Sequence, residues 1–383
     1  MPSASVILHS VIFKLRLKNR LQSWIQTPLD DSSNEQGVTS RPDESVCAPN
    51  PSFTDGVVTK DIRIDPSTVL TVRIFLPESA LSPTEQREPK SKAEGSSTRS
   101  ENNDDHAYTP SAQNCRKLPI MLQFHGGCWV SGSNDSVAND TFCQRISKLC
   151  DAIVVAVGYR LAPESKYPAA FEDGLKVLKW LVKQSNNSTG SEVEPWLAAH
   201  ADPSRCVLLG ASCGANIADY IAREAVESGE HLKPVKVVAQ VLMYPFFLAS
   251  VPTESEIRLA NTYFFDKTAC LLAWQVFLPN DEFSREHPAA NPFAPDQGPP
   301  LKLMPPTLTV VAEHDWMKDQ GVAYSEALRK VNVAAPVLEY KDTVHEFATL
   351  EMLLNTPLAE ACAEDIAIWV KKYISVGCHE FSY

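Results

Sequence analysis

The chain has 383 residues, a formal charge of −12 and 44% apolar content, which is enough for a large core in one big domain or two ordinary ones. An acidic balance without clustered Lys and Arg excludes general nucleic-acid binding and points to small neutral or apolar partners. The longest apolar run, Val237 to Ala249, is interrupted by Gln240 and Pro245 and falls short of the roughly 20 residues that span a bilayer, so no stable membrane insertion is expected.

Taken in chain order, residues 1–29 contain no acidic side chain and carry Lys14, Arg16, Lys18 and Arg20 among Ile7, Val11, Phe13, Leu15, Leu17, Leu21, Trp24 and Ile25. A transit peptide, a membrane-surface helix and a helical arm packed on the domain all fit this composition. The charges alternate at every second residue over part of the stretch, so no clean helical face separates the three. Residues 30–56, rich in Asp, Ser, Asn, Pro and Gly, read as a surface loop that completes an N-terminal arm over 1–56.

Val57 to Lys60, Ile62 to Ile64 and Leu70 to Leu76 read as strands of an antiparallel edge. Residues 78–117 hold almost no large apolar side chains, and a disordered insertion is expected there, because such a segment buries too little surface to offset its ordering entropy.

From Leu118 onward strands and helices alternate. Strands are expected at 119–124, 153–157, 206–209, 235–242, 308–311 and 337–340, with helices at 141–149, 171–183, 215–227, 321–330 and 359–373. This rhythm predicts an α/β fold, a mostly parallel central sheet with helices on both faces, over residues 57–375. Between about 246 and 303 the rhythm stops, and Phe247, Tyr263, Phe264, Phe265, Trp274 and Phe277 fall among turn residues. A helical cap inserted over the carboxyl edge of the sheet accounts for that stretch. Residues 376–383 form a short tail.

In an open parallel sheet, ligands bind beyond the carboxyl ends of the strands. After Cys206-Val207-Leu208-Leu209 the chain reads Gly210-Ala211-Ser212-Cys213-Gly214 and then becomes helix-forming, which is the strand, turn and helix of a nucleophile elbow. A serine hydroxyl is a poor nucleophile until an imidazole takes its proton, and that imidazole needs an acid on its far nitrogen. His345, in the loop after the last strand, is the expected base. Glu313, Asp315 and Asp319 compete as the acid; Asp315 fits best, since the helix expected to carry Asp319 turns that residue away. The order Ser212, Asp315, His345 is that of an alpha/beta-hydrolase. Backbone N–H groups from Gly126, Gly127 and Cys128, with that of Cys213, are the expected oxyanion hole. Trp129 and Phe246, next to these elements, are the expected substrate-binding side chains.

The ten cysteines are scattered, several inside apolar runs such as Cys206, Cys270 and Cys362, and no secretory signal precedes them. They read as reduced thiols of a cytoplasmic protein. No pair has metal-site spacing and the nine histidines form no H-E-x-x-H group, so neither a metal nor a cofactor is expected.

The chain resembles the hormone-sensitive-lipase-like alpha/beta-hydrolases, and within them the plant carboxylesterases related to the gibberellin receptor. The resemblance rests on His125-Gly126-Gly127, Gly158 to Glu164 with Tyr167 to Ala170, Gly210 to Asn216, Asn291-Pro292, Asp315 with Asp319, and Val344-His345-Glu346-Phe347. It implies a cap partly built from the N-terminal segment, which favours the packed arm for residues 1–26. It also implies carboxylic ester hydrolysis through an acyl-enzyme, with the first Asp of a D-x-x-x-D pair as the acid, in agreement with Asp315. The family usually has a third glycine where Cys128 stands and an acidic residue where Ala211 stands, so a thiol is expected near the acyl pocket.

The function expected is hydrolysis of small or medium esters by a serine carboxylesterase acting as a monomer or homodimer. The rivals are a hormone-like receptor, since the gibberellin receptor keeps this fold without the histidine, and a lyase or cyclase reusing the site.

Overall fold

Uninterrupted apolar strands such as Ile153-Val154-Val155-Ala156-Val157 need cover on both faces, and the structure gives it to them. A computed structural model describes residues 4–26, 36–53, 55–81, 108–110, 115–186, 193–279, 282–294 and 298–375. The expected insertion at 78–117 falls mostly, and the tail at 376–383 entirely, outside these residues.

Eight strands form one sheet: β1 (Val57–Arg63), β2 (Thr71–Pro77), β3 (Leu118–Phe124), β4 (Ile153–Gly158), β5 (Ala201–Ala211), β6 (Val237–Met243), β7 (Thr307–His314) and β8 (Val337–Val344). Their order is β1-β2-β4-β3-β5-β6-β7-β8. β1 and β2 pair antiparallel, as do β2 and β4; the remaining pairs are parallel. The two edges are charged, with Lys60, Asp61 and Arg63 on β1 and Glu339, Lys341 and Asp342 on β8, which discourages pairing with another sheet. β3, β4 and β6 are buried almost throughout. Each fully covered Leu, Val or Ile there contributes about 1.5–3 kcal/mol relative to exposure.

Two helical layers supply the cover. α2 (Val137–Cys150) packs with α9 (Pro357–Ile374), and α3 (Ala169–Asn186) packs with α5 (Cys213–Ser228). α8 (Lys318–Lys330) joins α5 through the Tyr324 hydroxyl, which donates to Asp219 Oδ1 at 2.6 Å. Sequence reading located every strand and these five helices but not α4 (Pro195–His200), which a Glu194 cap and Pro195 at its first turn start just before β5. β5 also begins five residues earlier than expected, because its polar start at Ala201 and Asp202 pairs with Leu118 and Pro119 across a register shift.

Between β6 and β7 the chain forms a cap containing α6 (Glu254–Arg258) and α7 (Lys267–Phe277). The basic N-terminal stretch is α1 (Ala4–Gln26), and it packs on α7. Lys18 Nζ reaches Asp266 at 2.7 Å, Lys14 Nζ donates to Thr262 O at 3.0 Å, and the Phe264 N–H donates to Ser10 Oγ at 2.8 Å. Phe13 meets Phe265 edge-on at 5.0 Å. The alternating charges thus become legible: the lysines hold the cap and Phe13, Leu17 and Leu21 turn inward, while Leu8, Val11 and Leu15 stay exposed. None of the helices among the described residues is long and apolar enough to cross a membrane.

Candidate active site

Ser212 is the single residue between β5 and α5. Its φ of 52° and ψ of −122° place a side-chain-bearing residue in a region that costs about 1–3 kcal/mol. Close packing on both sides enforces that turn. A Cβ on Gly210 would lie 2.2 Å from Gly214 O, and one on Gly214 would lie 2.3 Å from Phe124 O and 2.4 Å from His125 O. Only hydrogen fits at either place, so the elbow is pressed against the end of β3. The Ser212 N–H donates to Met243 O at 2.9 Å, which ties the turn to β6 as well.

The turn at the end of β8 delivers His345 and the turn at the end of β7 delivers Asp315. His345 Nε2 lies 2.8 Å from Ser212 Oγ, and His345 Nδ1 lies 2.7 Å from Asp315 Oδ2. All three residues are fully buried. The Met317 N–H donates to Asp315 Oδ1 at 2.9 Å and fixes the carboxylate plane. Burial works against a charged imidazole, but the Asp315 carboxylate beside it prevails and holds the His345 pKa above its ordinary 6.5. The competing acids lie elsewhere. Asp319, on α8, accepts the Ser255 N–H at 2.7 Å at the start of α6, and Glu313 accepts the Asp342 N–H at 2.8 Å.

The loop after β3 closes on the elbow from the other side. The Trp129 N–H donates to Cys213 Sγ at 3.2 Å, and the Gly127 N–H donates to Glu346 Oε1 at 3.2 Å. The loop is thereby tied to Cys213, which follows Ser212, and to Glu346, which follows His345. Cys128 and Trp129 both have positive φ, 56° and 60°, so the loop keeps a glycine-like conformation where the third glycine is missing. The Cys128 thiol is buried against Cys270 of α7, and this contact and burial push its pKa well up. Burial likewise pushes up the Cys213 thiol, so both stay protonated and weakly nucleophilic. His125 stacks on Tyr159 at 4.2 Å, and burial drops its pKa to about 4, which leaves the ring neutral.

Trp129 and Phe246 take a different place from the expected one. Both are fully buried; Trp129 stacks on Phe277 at 4.4 Å and meets Phe246 edge-on at 5.0 Å. Large rings gain more from burial in this aromatic cluster under the cap than from lining an open cleft. The wall of the cleft, which encloses about 710 Å³, is made instead by His9, Phe13 and Arg16 of α1, by Gly126 and Gly127, by Phe265 of the cap and by Glu346. Sequence reading expected the N-terminal segment in the cap but did not single out Glu346 as a site component. The available signal was an acidic residue directly after the expected base, in a turn where a small or apolar one suits a buried position.

One group among the described residues, Glu313, His314 and Asp342, brings ligand-type atoms within 4.8 Å of one another, partly exposed at the ends of β7 and β8. It takes no part in the line of hydroxyl, imidazole and carboxylate formed by Ser212, His345 and Asp315. That line can activate a hydroxyl for attack on a carbonyl carbon.

The same arrangement has relatives. Probable carboxylesterase 11 of Arabidopsis thaliana is 58% identical over 463 aligned positions, with both chains covered in full, and probable carboxylesterase 16 of the same plant is 60% identical over 446 positions, again with full coverage. The gibberellin receptor GID1C of Arabidopsis thaliana is 34% identical over 76% of this chain and 74% of its own. Among solved structures, a thermostable esterase from Pseudomonas putida superposes with a TM-score of 0.65 over 94% of this chain and 97% of that one, at 22% identity, which speaks to the fold alone. The pattern of the alpha/beta hydrolase fold family matches residues 121–349. With more than half of its length matched, and with the strand order and elbow described above, the chain belongs to the alpha/beta hydrolase fold family.

Proposed function

We propose that the protein is a serine carboxylesterase acting on small or medium esters, with Ser212 as nucleophile, His345 as general base and acid, and Asp315 as the group that orients and charges the imidazole. The observation that carries this is the buried relay from Ser212 Oγ to His345 Nε2 at 2.8 Å and from His345 Nδ1 to Asp315 Oδ2 at 2.7 Å.

In the resting state His345 Nδ1–H donates to Asp315 and Nε2 accepts the Ser212 hydroxyl. As Oγ bonds to the ester carbonyl carbon, Nε2 takes the hydroxyl proton and the carbonyl oxygen becomes an oxyanion. Backbone N–H groups of Gly126, Gly127, Cys128 and Cys213 are its intended donors. Collapse breaks the bond to the alkoxy group, which leaves with the proton from Nε2 and gives an acyl-Ser212. Water then repeats the sequence, with Nε2 as base, and releases the acid. The name of the two Arabidopsis relatives supports this reading. The intact relay from imidazole to serine favours it over the receptor and lyase alternatives. We place the enzyme in the cytoplasm, which its seven buried free cysteines among the described residues support.

A fluorophosphonate probe should label the wild-type protein stoichiometrically and leave Ser212→Ala unlabelled. Failure of the folded wild-type chain to react would refute the esterase reading.

A further inference from the structure

The oxyanion hole of this chain holds something already. Glu346 Oε1 accepts the Gly127 N–H at 3.2 Å, and that N–H is one of the donors assigned above to the oxyanion. The carboxylate lies so close over Gly126 that a Cβ there would come within 2.1 Å of Oε1. Burial pushes the Glu346 pKa above its ordinary value, against which His345, the Gly127 N–H and the Ser212 hydroxyl favour the ionised carboxylate; Ser212 itself is sealed from solvent. Glu346 is only 6% exposed and has a φ of 60°, a conformation that a side-chain-bearing residue adopts at a cost. Glu346 nonetheless lines the cleft and forms part of the wall between that space and the serine.

We propose that Glu346 is a built-in occupant of the oxyanion hole, which competes with the ester carbonyl for the Gly127 N–H and must swing out for each acylation. This rests on the reading of Ser212 as an esterase nucleophile and adds a gate to it. A carboxylate has the planar shape, the negative oxygen and the acceptor geometry of the acid product of the reaction, so the side chain acts as a tethered product. A developing oxyanion and the Glu346 carboxylate share one N–H donor and one sign of charge, and the two states exclude each other. The bond at 3.2 Å is long for a charge-assisted one, which suits a group held in place and still displaceable. The apparent affinity for an ester is then reduced by the fraction of molecules whose hole is open. Selectivity follows from the same geometry. Neutral acyl groups are favoured over anionic ones, which the Glu346 carboxylate repels.

The test compares Glu346→Ala and Glu346→Gln with wild type in p-nitrophenyl acetate turnover, fluorophosphonate labelling and inhibition by acetate. If the hole is occupied nine times in ten, Glu346→Ala raises kcat/KM by about tenfold, chiefly through a lower KM. Glu346→Gln, whose amide oxygen still accepts but carries no charge, falls between Ala and wild type. Labelling accelerates in the same order, and acetate inhibits the Ala variant more strongly because the seat is vacant. Wild type reacting readily with neither variant faster overturns the gate and leaves the esterase reading standing. Ala slower and Gln equal to wild type would make the carboxyl a hydrogen-bond donor to the intermediate and likewise overturns it. Wild type and both variants inert overturns the gate and the esterase reading together. Should Glu346→Ala fail to fold, the isosteric Gln variant decides alone: a rate above wild type supports the gate, and an equal or lower one overturns it.

Discussion

Replacing Asp315 by Asn removes one charge from a fully buried pair and changes almost nothing else in size. In the wild-type protein the proton taken from Ser212 turns His345 into a cation whose partner is the Asp315 carboxylate, with Nδ1 and Oδ2 2.7 Å apart. At a charge separation of about 4 Å and an effective dielectric near 20, that pairing is worth about 4 kcal/mol. With 1.36 kcal/mol per decade of rate, its loss corresponds to about a thousandfold. Asn also offers an N–H to Nδ1, which favours the wrong imidazole tautomer and takes the expected loss in kcat toward about ten thousandfold.

A second readout comes from pH. His345 must be neutral to accept the serine proton, so wild-type activity is lost as pH falls through a pKa held above 6.5 by Asp315. In Asp315→Asn the desolvation of the buried ring is unopposed, the pKa drops, and the acid limb of the residual activity moves to lower pH. The assay is kcat/KM for p-nitrophenyl acetate across about pH 5 to 9, with circular dichroism to show that the variant is folded. A folded variant that loses less than about tenfold, or one whose acid limb stays in place, would refute the relay.

Two further substitutions probe the frame around the site. Gly214→Ala places a Cβ 2.3 and 2.4 Å from two backbone oxygens of β3 and the following loop, so the elbow and strand must part; a destabilisation above about 3 kcal/mol in urea unfolding is expected, and a change under about 1 kcal/mol would contradict the close approach. Asp266→Ala removes both the anchor of Lys18 and the cap of α7, where Oδ1 accepts the Ala269 N–H at 2.9 Å. Limited proteolysis should cleave the α1 segment faster in that variant, with the sheet little affected, and unchanged cleavage would show that the apolar seam alone holds the arm.

What could be read from the sequence was whatever local pattern encodes. The β5 strand, the glycines beside Ser212 and the helix after it lie within a dozen residues, and each has a steric reason that the isolated string already contains. The order of Ser212, Asp315 and His345 was legible because topology sends the end of each strand to the same edge of the sheet. Contacts between distant segments were not. Trp129 looked available to a ligand because its burial depends on Phe277, supplied by a helix of the cap. Cys128 was expected near the acyl pocket, and the cover that Cys270 of the same helix gives its thiol is not written in the local string. Glu346 stood in plain view beside His345, but a carboxylate in a turn reads as a solvated residue until the Gly127 N–H is found in front of it.

The pairing of Lys18 with Asp266 joins residues 248 positions apart, and this has a consequence for the order in which the protein is made. α1 leaves the ribosome before its anchor in the cap, which follows roughly 12 to 50 s later at about 5–20 residues per second. During that interval its apolar seam, Phe13, Leu17 and Leu21 among it, has no surface to rest on. Ser212 and its elbow are synthesised inside the same interval, and His345 after it. One wall of the cleft is therefore made well before the cap that seats it, so a chain arrested before its cap would carry a nucleophile in an unwalled site with neither base nor acid to activate it.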